Sequence, residues 1–195
     1  MNLPNKITIS RFLLTAVFML FLFMHGFVYK ILALMVFLAA VFSDYLDGYF
    51  AKKYNQKSNL GKLLDPIADK VLTLAAFLAF VEMKLIPAWI VVIIIARELL
   101  ITGLRLLALK NDDILPAGKG GKHKTVSQMV SIFVILLFIM FKEAGVEIFD
   151  FWDAGFEYWY RQLIFVLMLI TTVLTITSGA SYIMGNKKYL FNGED

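Results

Sequence analysis

"DYLDGYFAKKYNQKSNLGKLLDPIAD", residues 44–69, places Asp44, Asp47, Asp65 and Asp69 between long apolar runs. The question is why four carboxylates stand where they are hardest to solvate. Around this window the composition is that of a membrane protein. The chain has 195 residues, 60% of them hydrophobic, and its mean hydropathy is +0.76. Soluble domains run at about 45–50% apolar. Cysteine is absent, which removes disulfide scaffolds, thiolate metal sites and Cys nucleophiles together. The formal charge is +4, but no block of like charge is long enough for a nucleic-acid arm, so no nucleic-acid partner is expected.

A spanning helix needs about 20 mostly apolar residues. Six stretches qualify, roughly 8–27, 30–52, 63–83, 86–109, 124–142 and 161–184. The predicted fold is therefore an all-α integral membrane protein of six transmembrane helices. With no internal repeat, residues 1–195 are expected to form one domain. Met1 to Phe27 has the basic start and apolar run of a signal peptide but no A-x-A-type cleavage site, and reads as a retained helix.

Orientation follows from Lys and Arg. One side carries Lys6, Arg11, Lys52, Lys53, Lys57, Lys62, Lys110, Lys119, Lys122, Lys124, Lys187 and Lys188. The other carries Lys30, Lys84, Lys142 and Arg161, together with Glu143, Glu147, Asp150, Asp153 and Glu157. This bias predicts both termini in the cytoplasm and the aspartate window at the cytoplasmic face of a multi-pass protein of the cell membrane. The stretch "FDFWDAGFEYWY" (149–160) reads as an aromatic belt at the opposite interface.

Asp44 and Asp47 are spaced i,i+3, and Asp65 and Asp69 i,i+4, so each pair shares a helix face. Gly48 and Ala51 lie on the stripe of Asp44, where small side chains let a ligand or another backbone come close. A solvated polar hairpin at the headgroups is the bland explanation. Carboxylates at membrane depth more often mark function, and four close together cannot all ionise without cations. Nearby lysines could meet that need, but two divalent metals would meet it better, and oxygen-only ligands fit Mg²⁺ or Mn²⁺. His25 falls on the far half, and His123 reads as a solvated loop residue. A two-metal, all-oxygen site most often handles phosphoryl transfer.

The window reads D-x2-D-G-x2-A-K-x8-G-x3-D-x3-D, through Asp44, Asp47, Gly48, Ala51, Lys52, Gly61, Asp65 and Asp69. It closely resembles the signature of the CDP-alcohol phosphatidyltransferases, which has Arg at the position of Lys52. "NLPNKITISR" (2–11), "ARELLITGLRLLA" (96–108) and "GKHKT" (121–125) look like segments of bacterial phosphatidylglycerophosphate synthases. The last helix offers nothing specific. The resemblance implies transfer of a phosphatidyl group from CDP-diacylglycerol to sn-glycerol 3-phosphate, with release of CMP, by a homodimer among membrane lipids. It further implies a pair of divalent cations held by Asp44, Asp47 and Asp65, with Asp69 as a further ligand, the general base, or both. Gly48, Ala51, Lys52 and Gly61 would receive the CDP moiety.

Among the remaining cations, Arg105, Lys122 and Lys124 are candidates to hold the acceptor phosphate, against simple positive-inside anchoring. Arg97 lies near the middle of its helix, and reads either as a buried pair with Glu98 or an aspartate, or as a substrate contact. Two alternatives differ in function. Another acceptor (phosphatidylglycerol, inositol phosphate or serine) would leave the aspartate window unchanged. A divalent-cation transporter would also use intramembrane carboxylates, but transporters favour midplane sites between repeated halves.

Overall fold

The computed structural model describes the backbone of residues 3–54, 59–110, 119–148 and 152–186, and the side chains of 10–43, 70–106, 108, 121–148 and 152–186. Six α-helices account for nearly all of it: α1 (Leu3–Phe23), α2 (Phe27–Tyr54), α3 (Asn59–Glu82), α4 (Ala88–Lys110), α5 (Lys119–Glu147) and α6 (Ala154–Gly185). Each expected span has its helix. α6 starts well before the apolar run at 161 because Asp153 caps it. The Asp153 carboxylate accepts from the Phe156 N–H at 2.6 Å, satisfying a first-turn donor that has no intrahelical partner, and its carbonyl accepts the first helix bond, from the Glu157 N–H.

Among the described residues, Gly121–Glu147 and Ala154–Gly185 are long and apolar enough to cross a membrane, while Ser10–Phe23 and Phe27–Ser43 are apolar but shorter. α6 buries hydroxyls alongside apolar side chains and turns large apolar residues outward. Its buried residues are Ile164, Met168, Thr171, Thr172, Thr175, Gly179 and Tyr182. Val166, Ile170, Val173 and Ile176 point outward. In water this would be an unstable arrangement; with lipid as solvent the outward residues need no cover, and small or hydroxylated residues suit the helix interface.

The chain forms two compact units. The first comprises Met1–Ala79 and Ile132–Tyr160, the second Phe80–Ser131 and Arg161–Asp195.

In the first unit α1 packs on α2. Phe18 meets Phe37 with ring centroids 5.9 Å apart, and Ala33 and Ala40 lie one turn to either side of Phe37, where small side chains allow close approach. The turn between the helices passes through Gly26 at φ 111°, a conformation only glycine adopts without strain. The α2 start is then capped from α5. Glu143 accepts from the Gly26 N–H at 3.2 Å and Glu147 from the Phe27 N–H at 2.9 Å. The α1 end is capped by buried Lys30, whose ammonium donates to the carbonyls of Leu22 at 2.9 Å and Met24 at 2.5 Å.

The aromatic stretch has two parts. Trp152, Phe156 and Tyr160, spaced i,i+4,i+8, pack edge-on or tilted against one another, and Trp152 and Tyr160 also meet Phe138 of α5, their centroids 5.6 and 5.5 Å from it. Tyr158 and Trp159 are exposed, as an interfacial belt requires. Phe149, Asp150 and Phe151 lie outside the described residues.

In the second unit α3 ends in a Schellman turn. The Leu85 N–H donates to the Phe80 carbonyl and the Lys84 N–H to that of Val81, both at 2.9 Å. Lys84 takes the left-handed position, φ 56°, usually given to glycine. Arg161 donates to its carbonyl at 3.1 Å.

Candidate functional site

The residues of the aspartate window divide between two helices of the first unit. Asp44, Asp47, Gly48, Ala51 and Lys52 are on the C-terminal half of α2; Gly61, Asp65 and Asp69 are on the N-terminal half of α3. The expected helical spacings therefore hold for the backbone. Their side chains lie outside the described residues, and so does the detail of any metal or CDP contact. Among the described residues no group of three or more His, Cys, Asp or Glu is placed to hold a metal ion.

The basic candidates are in the second unit. α4 buries the stripe Ile90, Ile94, Glu98, Ile101 and Ala108, at helical spacing. Glu98 stands where the pattern calls for an apolar side chain. It pairs with Lys124 of α5, and both residues are only 5% exposed. Arg97 lies alongside, its Nη1 3.5 Å from Glu98 Oε1 and its Nη2 donating to Ser178 Oγ of α6 at 3.3 Å. The contact with Glu98 is one that the sequence offered for Arg97. Gly179 makes room for this side chain, since a methyl group added there would lie 2.9 Å from Arg97 Cγ.

Arg105, two turns beyond Glu98, donates from Nε to Tyr182 Oη of α6 at 3.3 Å, and its guanidinium carbon lies 5.5 Å from the Tyr182 ring centroid. That is cation–π range. Lys122 and His123 are exposed. Arg105 is thus held by Tyr182 of α6 and Lys124 by Glu98 of α4, while Lys122 stands at the surface of the helix that carries Lys124.

The seam continues along α5 and α6. The Thr171 hydroxyl meets Ser127 Oγ at 2.6 Å and Ser131 Oγ at 2.9 Å. Thr172 and Thr175 hydroxyls donate back to the carbonyls of Met168 and Thr171, each at 2.7 Å, so these buried groups are satisfied. Two buried nitrogens are not, Arg97 Nε and Gln128 Nε2. Gln128 follows Lys124 by one turn of α5.

Glu98 entered the sequence reading only as a partner for Arg97, and Ser178, Gly179 and Tyr182 were not among its candidates. The available signal was periodicity: Glu98 falls in register with Ile94 and Ile101, and Thr171, Thr175, Gly179 and Tyr182 recur every three or four residues.

Residues 1–177 match the model of the CDP-alcohol phosphatidyltransferase family. The chain belongs to that family, and is a transferase by class. It is similar to a CDP-diacylglycerol–glycerol-3-phosphate 3-phosphatidyltransferase of Bacillus subtilis (strain 168), 34% identical with 95% of each chain covered. A protein of the same name from Rickettsia felis is 32% identical, covering 96% of this chain and 97% of the relative. A probable phosphatidylglycerophosphate synthase of Mycobacterium tuberculosis is 36% identical over 70% of this chain and 66% of its own.

Proposed function

We propose that this chain transfers the phosphatidyl group of CDP-diacylglycerol to sn-glycerol 3-phosphate, giving phosphatidylglycerophosphate and CMP. The observation that carries the reading is the D-x2-D-G-x2-A-K-x8-G-x3-D-x3-D pattern on α2 and α3. Full-length similarity to relatives named for this reaction supports it.

The donor set of Asp44, Asp47, Asp65 and Asp69 is all oxygen and anionic, which fits two hard divalent cations, Mg²⁺ or Mn²⁺. Such cations, when bound, neutralise a diphosphate and the leaving CMP. Gly48, Ala51 and Gly61 leave room for the cytidine diphosphate, and Lys52 supplies a charge beside it. Asp69 takes the proton from the acceptor hydroxyl. That oxygen forms a bond to the β-phosphorus as the bond from phosphorus to the CMP oxygen breaks. Arg105 is the principal holder of the acceptor phosphate, because a guanidinium grips phosphate through paired N–H groups. Lys122 and Lys124 are assigned to the same task with smaller effects, as Lys acts as a point charge and Lys124 already carries Glu98.

The finer architecture follows from the same reading. All six helices span the cell membrane, both termini and the aspartate window face the cytoplasm, and residues 1–195 act as one catalytic domain in a homodimer. The placement lets a lipid donor enter from the bilayer and a charged acceptor from the cytosol.

The test is CMP release from CDP-diacylglycerol on addition of glycerol 3-phosphate to the purified protein in micelles. Chelation is expected to abolish release and Mg²⁺ or Mn²⁺ to restore it. Asp44→Asn, Asp47→Asn and Asp65→Asn should each remove nearly all turnover. Undiminished release after verified metal removal would overturn the assignment.

A further inference from the structure

The turn from α3 to α4 places a lysine where glycine is usual. Lys84 holds φ 56° at the left-handed position of the Schellman turn, a conformation that strains any residue with a Cβ. A strained residue is a reason to ask what its side chain does. The Lys84 side chain is exposed, so no packing offsets the strain.

Lys84 lines a cavity of about 620 Å³. The cavity lies wholly within the second unit, between the α3–α4 turn and Arg161, Gln162 and Phe165 of α6. That volume suits a small molecule or a lipid headgroup. The lining combines two kinds of group. Leu85, Pro87 and Phe165 are apolar, and Phe165 is exposed on the outside of α6. Lys84 and Arg161 are cations, and none of the described lining residues is acidic. Arg161 is brought to the turn by its bond to the Lys84 carbonyl at 3.1 Å. α4 also begins in this lining, at Ala88, and the first N–H groups of a helix, which lack intrahelical partners, favour an anion.

Two cations and a helix N-terminus therefore meet an apolar wall that opens outward. The complementary ligand has a negative head and an apolar body. Trp89, one residue into α4, is exposed, as a side chain at headgroup level would be. We infer that the cavity binds an anionic phospholipid, its headgroup phosphate received by Lys84 and Arg161 and an acyl chain lying over Phe165. In the orientation proposed above the lipid belongs to the outer leaflet. The cavity is at the C-terminal end of α3, whereas Asp65 and Asp69 are on its N-terminal half. The inference therefore holds whichever acceptor the protein uses.

The test is thermal unfolding of the purified protein in micelles, with phosphatidylglycerol, phosphatidylcholine or inorganic phosphate added separately. Phosphatidylglycerol is expected to raise the unfolding temperature by several degrees, as a ligand of the folded state does, and the other two to do so by less than half as much. Lys84→Gly keeps the turn and removes the charge. Without added lipid it should unfold at or slightly above the wild-type temperature. Its phosphatidylglycerol shift should fall by at least half, with about 5–10-fold weaker lipid binding, the loss expected for one cation at a membrane surface. Lys84→Arg should keep the shift. An equal shift with phosphatidylcholine overturns the anionic headgroup, and an equal shift with inorganic phosphate overturns the lipid. A phosphatidylglycerol shift kept in Lys84→Gly, or lost in Lys84→Arg as fully as in Lys84→Gly, overturns the site. None of these arms measures CMP release, so their outcome is read apart from the proposed reaction.

Discussion

Lys30 and Lys124 are both buried, 6% and 5% exposed, but the two units hold them by different means. Lys30 sits at the end of α1, where main-chain carbonyls lack intrahelical donors. It satisfies two of them, and Glu143 stands 3.7 Å away as a secondary partner. Lys124 faces the middle of α4, where backbone carbonyls are already engaged, so its counter-charge is a side chain, Glu98. The first arrangement joins helix ends and is explained by folding alone. The second puts a charge pair into an apolar stripe, where folding would do as well without it. A buried charge held by backbone reads as structure; one held by a dedicated carboxylate reads as chemistry.

The sharpest way to break this comparison is to remove each carboxylate. Glu98→Gln removes the carboxylate that buried Lys124 and Arg97 share and should cost about 3–5 kcal/mol, seen as a large drop in unfolding temperature in micelles. Glu143→Gln leaves Lys30 on its carbonyls and an oxygen for the Gly26 N–H, and should cost under about 1 kcal/mol. Equal losses would erase the distinction. Next in size, Lys30→Met uncaps the Leu22 and Met24 carbonyls at the end of α1, at a cost of about 2–3 kcal/mol. It should leave the KM for glycerol 3-phosphate unchanged in the folded protein. A raised acceptor KM would give Lys30 a share in the chemistry.

Gly179→Ala comes third. The added methyl would press Arg97 at 2.9 Å. Because Arg97 is flexible, the expected loss is about 1–2 kcal/mol, at the low end for overpacking, with a weaker acceptor if Arg97 moves. Unchanged stability and kinetics would show that the seam tolerates a displaced Arg97. The smallest effect is expected at Lys84→Gly, which relieves a left-handed residue in the Schellman turn. The gain is about 1 kcal/mol at most, offset in part by the extra freedom of glycine in the unfolded chain. A measurable loss would mean that the Lys84 side chain, not its backbone, holds the turn.

The aspartate window is legible in sequence because charged residues in an apolar chain stand out and their spacing converts directly into helix faces. α2 and α3 carry those faces as expected. Glu98 is harder to see. It follows Arg97, and adjacent opposite charges read as a neutral pair, although only Glu98 falls in register with the buried isoleucines of α4. The seam of α6 is hidden for another reason. Threonine and serine barely disturb hydropathy, so "TTVLTITSGASY" (171–182) reads as an ordinary span, while its polar atoms are what the helix buries. In the aromatic stretch, composition announces a belt, but the i,i+8 spacing of Trp152 and Tyr160 brings both rings onto Phe138 of α5, with exposed Phe156 packed between them. Helix starts are misjudged where capping rather than apolarity decides, as at Asp153.

The most direct test of the account is made on the wild-type protein. Purified protein in micelles is given labelled CDP-diacylglycerol and, separately, glycerol 3-phosphate, glycerol, serine, inositol phosphate or phosphatidylglycerol, and CMP release is followed. The account predicts rapid release with glycerol 3-phosphate and formation of phosphatidylglycerophosphate, with little release for the others. Equal release with an uncharged acceptor such as glycerol, or cation flux in proteoliposomes without any CMP, would contradict it.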